Sequence, residues 1–115
     1  MTARTILAAM SAVTSESAAL RAVIAAHREV VDAILRRYQA VNPRIIGSVA
    51  RGDATQESDI DMLVDLLPDG GNELLRVAGI AEELSQAFGR RVDVVAPELL
   101  RSEVSVTALR DAVAV

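Results

Sequence analysis

The sequence predicts one α/β (α+β) domain. Helical stretches with three-four apolar spacing alternate with short β-branched runs, and turn-forming residues separate them. Three observations carry this reading. Residues 15–40 set Leu20, Val23, Ile24, His27, Val30, Val31, Ile34, Leu35 and Tyr38 on one wide apolar helix face. Residues 72–88 repeat the pattern with Leu74, Leu75, Ala78, Ala81, Leu84 and Phe88. Arg44-Ile45-Ile46 and the run Arg91 to Ala96 fit strands, the second with Val92 and Val94 facing one way and Asp93 and Val95 the other.

In chain order, residues 2–13 fit a short helix with Ile6, Leu7, Met10 and Val13 on one side. Ser15 and Ser17 are suitable caps for the long helix that follows. Asn42-Pro43 should end it, because a residue before proline avoids the helical region. Gly47-Ser48 breaks the first strand, and turn residues fill Val49 to Ser58. Asp59 to Leu67 is ambiguous. As a strand, Ile60, Met62, Val64 and Leu66 alternate with Asp59, Asp61, Leu63 and Asp65; as a helix, Ser58 caps a stripe of Ile60, Leu63, Val64 and Leu67. Pro68-Asp69-Gly70-Gly71 stops the segment, Asn72 can cap the next helix, and Gly89 stands where a C-terminal glycine belongs. Pro97-Glu98 can open a last helix running to Asp111.

Composition narrows the function. A chain of 115 residues with 51% hydrophobic and 24% charged residues builds one modest core and is not disordered as a whole. Aromatics are only Tyr38 and Phe88, so Ala, Val, Leu and Ile must fill that core. A net charge of −4 and a pI near 4.9 argue against coating nucleic acid, and no direct DNA binding is expected. All 12 cationic residues are Arg, which excludes a lysine nucleophile or a phosphate-loop lysine. The lack of Cys excludes disulfides, thiolate metal sites and thiol catalysis. No apolar run reaches membrane-span length, and the resemblance of Met1 to Val13 to a signal peptide is slight; a cytoplasmic protein is expected.

The chemistry concentrates in Gly47-Ser48, ten intervening residues and Asp59-Ile60-Asp61, with Asp93 on the next strand. Two Asp at alternate strand positions project to one face. Their mutual repulsion raises one pKa unless a cation offsets it, and carboxylate ligands select hard ions such as Mg²⁺ or Mn²⁺. Asp93 can complete a metal site or act as a base. Gly47 permits close backbone approach, and Ser48 offers N–H and O–H donors, so the pair can cradle an anion. A phosphate turn beside a metal-binding carboxylate pair is what transfer at a nucleotide phosphate requires.

This run resembles the signature of the nucleotidyltransferase superfamily that includes DNA polymerase beta. Gly47, Ser48, Asp59, Asp61 and Asp93 all match its pattern. More narrowly, Gly-Ser-Val-Ala-Arg-Gly-Asp, Ser-Asp-Ile-Asp and Gly-Arg-Arg-Val-Asp-Val-Val are similar to the minimal nucleotidyltransferases, the MntA-like antitoxins paired with HEPN-domain toxins. The closing Leu109-Arg110-Asp111-Ala112-Val113 is similar to that family's ending. The likeness covers about residues 20–115. It implies that Asp59 to Leu67 is a strand, and that the nucleotidyltransferase fold is a small mixed sheet with helices mainly on one face. It implies Asp59 and Asp61 as Mg²⁺ ligands, and Asp93 as a carboxylate of the same site that helps deprotonate an attacking hydroxyl. Gly47, Ser48 and Arg51 are the nucleotide-binding candidates. The implied reaction moves AMP from ATP to a hydroxyl, a tyrosine in that family, of a HEPN-type toxin encoded nearby. Homo- or hetero-oligomers are compatible with this.

Other residues read more plainly. Arg51 serves equally as a phosphate contact or a surface ion pair. Ser58 fixes its loop, and Asp53 and Asp65 are surface or turn residues. His27 is a core-edge residue with one hydrogen bond. Arg36-Arg37 and Arg90-Arg91 are solvated faces or partner contacts. Residues 1–17 form an N-terminal extension outside the resemblance, and 18–115 form the domain. The alternative to a catalytic antitoxin is one that neutralises its partner by stoichiometric binding; transfer to a small molecule ranks last, because such enzymes carry an extra acceptor-holding domain.

Overall fold

The computed structural model describes residues 13–99 and 110–115 of the chain. Its elements are α1 (Ser15–Ala26), α2 (Arg28–Arg37), β1 (Ala40–Ile46), α3 (Gly47–Arg51), β2 (Ile60–Leu66), α4 (Glu73–Phe88), β3 (Val92–Val95), a 3₁₀ turn (Pro97–Leu99) and β4 (Val113–Ala114). The four strands form one mixed sheet in the order β3-β2-β1-β4. β1 runs antiparallel to β2 and β4, while β2 and β3 are parallel and joined through α4.

Pleating divides the sheet into two faces. Ile45, Met62 and Val94 lie abreast, as do Ile60 and Val92. These buried side chains join Ile24, Val31, Ile34 and Leu35 from α1 and α2, and Val77, Ile80 and Leu84 from α4, in one core. The helices therefore pack mainly on this face. Leu63 is fully buried on the opposite face and lies outside that cluster.

The expected single helix over residues 15–40 is two. His27 leaves the helical region (φ −105°, ψ 25°) and separates α1 from α2, and α2 ends at Arg37. Thr14, rather than Ser15 or Ser17, caps α1: its hydroxyl accepts from Ser17 N–H at 3.1 Å. Ser17 is buried, and its Oγ accepts from Ala54 N–H at 2.8 Å. Val23, His27 and Val30 form an exposed ridge, so the buried face is narrower than the sequence pattern. His27 does make one local bond, to Val23 O at 2.8 Å, and its ring meets Phe88 edge-on at 5.7 Å.

Asn42-Pro43 does not end a helix. It forms an irregularity inside β1, where the register shifts between Val41 and Arg44 and Asn42 adopts φ +56°. A classical ladder would require the N–H that proline lacks, and the bulge removes that need. Asp65 closes it, accepting from Asn42 Nδ2 at 2.9 Å and Arg44 Nη2 at 2.6 Å.

The ambiguous segment is strand β2, flanked on both sides by other strands. α4 starts at the Asn72 cap, whose Oδ1 accepts from Leu75 N–H, and stops at Gly89 in the left-handed region. Its buried apolar positions are Val77, Ile80 and Leu84; Leu74 and Leu75 are exposed, so the true face is rotated from the predicted one. Only the start of the proposed last helix is described, as the 3₁₀ turn Pro97–Leu99; residues 100–109, and the helix expected over 2–12, lie outside the described residues. β4 was not expected from the sequence. Among the described residues, no helix is long and apolar enough to cross a membrane.

Arg76 holds the far end of the sheet. It is 7% exposed and donates to three carbonyls: Tyr38 O at 2.9 Å, Leu67 O at 3.1 Å and Gln39 O at 2.6 Å. Arg76→Met keeps the apolar stem but leaves these carbonyls without their donors. The expected destabilisation is about 2–4 kcal/mol, read as a lower urea midpoint at unchanged slope.

Candidate active site

The face of the sheet opposite the helices carries the carboxylates. Asp61 and Asp93 are register partners on the parallel pair β2–β3 and point to the same face. Asp59 stands two positions before Asp61, so strand alternation gives it the same side. The backbone next to Asp59 is fixed by Ile60 N–H donating to Arg91 O at 3.0 Å. All three carboxylates are partly exposed.

Gly47 brings the other half of the motif against them. Ile46 pairs with Asp61 across the β1–β2 ladder, so the chain leaves β1 beside that carboxylate. Gly47 then takes φ +69°, and its α-carbon lies so close to Asp61 that a methyl group there would overlap Oδ2. Only a residue without Cβ satisfies both demands. Ser48 follows in the first turn of α3, where backbone N–H groups have no partner within the helix.

The rest of α3 is tied down from α1. Arg21 donates to Val49 O at 3.0 Å and Ala50 O at 2.6 Å, occupying carbonyls at the C-terminal end. Gly52 closes the turn in the left-handed region, and its carbonyl accepts from Thr14 N–H at 2.8 Å. Thr14 Oγ1 also donates to Ala54 O at 2.7 Å. The turn that carries Gly47 and Ser48 is thus held at both ends.

Of the arginine pair at 90 and 91, Arg91 is exposed, as expected, but Arg90 is not a solvated residue. Arg90 donates to the carbonyls of Thr55, Gln56 and Ser58 and pairs with Glu16 at 2.8 Å. It clamps the loop that delivers Asp59. Ser58 helps from within, its Oγ accepting from Thr55 N–H at 2.8 Å, the loop-fixing part expected of it. Arg91 lies among the site carboxylates: its Nε is 3.3 Å from Asp93 Oδ1 and 3.7 Å from Asp59 Oδ2. Charge counting along the sequence could not separate these two neighbours. The strand periodicity could have hinted that Arg91 shares an end of the sheet with Asp59. Arg51 sits at the end of α3, exposed and 3.4 Å from Asp53 Oδ2. Arg37 is also not merely solvated, pairing with Glu83, which Tyr38 bonds from its hydroxyl.

Burial raises the Asp61 carboxyl above the ordinary carboxylate value, and the negative charges of Asp93 and Asp59 push it further; Arg51 and Arg91 offset part of this. Folding therefore penalises the ionised form. The stability tied to Asp61 is present below the ordinary carboxylate range and is lost as pH rises through the elevated value. Thermal melts of wild-type and Asp61→Asn proteins from about pH 4 to about pH 8 should show the wild type losing ground to the variant across that window.

Three hard oxygen donors that repel one another form a donor set suited to Mg²⁺ or Mn²⁺. Among the described residues, however, no three acidic or histidine side chains are already gathered around one point as a metal cage. The Arg91 guanidinium takes up space between Asp59 and Asp93 and supplies the positive charge there.

Comparison with known proteins gives a consistent picture. Residues 27–115 match the nucleotidyltransferase domain family. Protein adenylyltransferase MntA of Thermococcus cleftensis is 32% identical over 96 residues, spanning 82% of this chain and 90% of its own. A solved minimal nucleotidyltransferase is 37% identical with a TM-score of 0.67, over 79% of this chain and 91% of its own. A toxin–antitoxin structure with AMP-PNP shares the fold at 19% identity and a TM-score of 0.62, over 73% of this chain and 68% of its own.

Proposed function

As the chain belongs to the nucleotidyltransferase family, in its minimal MntA-like form, we propose that it transfers AMP from ATP to a tyrosine hydroxyl of a HEPN-type toxin, and so acts as the antitoxin of a toxin–antitoxin pair. The observation that carries this is the contact between Gly47 and Asp61, with Asp93 abreast of Asp61. It sets the Gly47-Ser48 turn directly against a carboxylate pair, which supports this reading, since transfer at a nucleotide phosphate needs an anion-binding turn and carboxylates in one place. The relatives support the substrate and partner: one is a protein adenylyltransferase, and structures of the same fold are toxin–antitoxin complexes, one of them with AMP-PNP. Dependence on ATP fits a cytoplasmic protein.

In this reading Gly47 and Ser48 bind the triphosphate through the first amides of α3 and the Ser48 hydroxyl, and Arg51 adds a cation at the far end of that turn. Asp59, Asp61 and Asp93 would hold Mg²⁺ or Mn²⁺, which neutralises phosphate charge and makes the α-phosphorus a better electrophile. Asp93 lies on β3, one of the two edge strands of the described sheet, where an acceptor protein can approach. It accepts the proton as the acceptor oxygen bonds to the α-phosphorus. The bond to the bridging oxygen then breaks, and pyrophosphate leaves from the Gly47-Ser48 turn. The fixed backbone around Asp59 and Gly47 keeps these groups placed without reorganisation.

Neutralisation at less than one antitoxin per toxin, requiring ATP, tests the proposal. Toxin silenced only at equal stoichiometry, and equally well without ATP, would make this chain a binding antitoxin instead.

A further inference from the structure

Five arginines stand near the two halves of the site, and four of them are committed elsewhere. Arg21 bonds the carbonyls of α3, Arg90 clamps the loop before Asp59, Arg44 pairs with Asp65, and Arg51 pairs with Asp53. Arg91 alone among these reaches the Asp59 and Asp93 carboxylates. Its backbone is fixed, since its carbonyl accepts from Ile60 N–H and the next amide, Val92 N–H, bonds Ser85 Oγ at 2.9 Å. Its side chain is not fixed: it is 72% exposed, and the only bond its guanidinium makes among the described residues goes to Asp93. A swing about side-chain torsions would carry the charge into solvent without moving β3.

From this we infer that Arg91 is a displaceable internal counter-ion: it holds Asp59 and Asp93 when no divalent cation is bound, and it competes with the cation for them. The inference rests on the reading of these aspartates as metal ligands. The guanidinium lies against one oxygen each of Asp59 and Asp93 and repels a second positive charge, so it competes with a divalent ion for these carboxylates. Arg91 thereby weakens binding of a bare divalent ion and spares the metal-free site its carboxylate repulsion. It acts on the metal through the carboxylates, which makes it a positioning residue.

The test is Mn²⁺ binding to the full-length protein without nucleotide, followed by the electron paramagnetic resonance signal of free Mn²⁺. Arg91→Gln should bind about threefold to tenfold more tightly than wild type, the range expected when two exposed ion pairs are released. Arg91→Lys, which keeps the charge but loses the Nε–H, should fall between them. Arg36→Gln removes an equal charge from α2, where it touches neither Asp59 nor Asp93, and should leave the affinity close to wild type. The rise in melting temperature on adding Mn²⁺ should follow the same order. Equal or weaker binding by Arg91→Gln would overturn the inference, as would Arg36→Gln tightening binding as much. Asp61→Asn separates the two levels: its loss of binding supports the metal site itself. Binding absent from wild type, or unchanged in Asp61→Asn, would remove the metal reading and the role of Arg91 with it.

Discussion

Asp61→Asn is expected to abolish nucleotidyl transfer and, at neutral pH, to raise the melting temperature of the metal-free protein. The two effects have one cause. Asp61 lies on the sheet face beside Gly47, Asp93 and Asp59, where its negative charge is partly desolvated and repelled. Asparagine keeps the shape and removes the charge. In the proposed mechanism a divalent ion then loses a ligand and the triphosphate its neutralising partner, so transfer should fall by about a hundredfold to a thousandfold, the scale of removing a preorganised electrostatic group at a reacting centre. The metal-free fold loses more burial cost and repulsion than attraction to Arg51 and Arg91. Transfer near the wild-type rate would contradict the site, and a melting temperature several degrees lower would contradict the account of the Asp61 environment.

Gly47→Ala should damage both stability and catalysis. The backbone there has φ +69°, which costs a residue with a Cβ about 1 kcal/mol or more. The new methyl would also overlap Asp61 Oδ2, with Asp61 itself held between neighbouring strands. Either the Asp61 carboxylate turns away or the Gly47-Ser48 turn retreats, and each separates the proposed phosphate donors from the proposed metal ligands. A displacement of about 1 Å at such a centre reduces rates about a hundredfold. The variant should therefore fold with a lower urea midpoint and transfer AMP at about one hundredth of the wild-type rate or less, measured with labelled ATP. Wild-type transfer by a stably folded Gly47→Ala protein would show that the contact does not matter.

The site motif was more legible than the helices around it. Gly47, Ser48, Asp59, Asp61 and Asp93 stand out because their chemistry is specific to residue type and spacing, and the structure brings Gly47, Asp61 and Asp93 together. The class of the fold followed from the alternation of element types. Helix faces were harder to read, because alanine fits buried and exposed positions alike: around Leu74, Leu75 and Ala78 the apolar pattern runs one way and the burial of Val77 and Ile80 another. The break at His27 has no proline or glycine to announce it. Asn42-Pro43 misled in the opposite direction, since a proline that stops a helix is also tolerated at a strand bulge. Arg90 and Arg91 show the limit most clearly. They are identical neighbours in sequence, yet strand alternation turns one to the loop carbonyls and Glu16 and the other to Asp59 and Asp93.

The central claim is that this site moves AMP onto a partner protein. It is tested most directly by incubating α-labelled ATP and Mg²⁺ with the proposed HEPN-type toxin partner, using wild-type and Asp61→Asn proteins in parallel. Label on a toxin tyrosine with the wild type alone is the predicted result. No label with either protein, while both bind and silence the toxin equally, would contradict it.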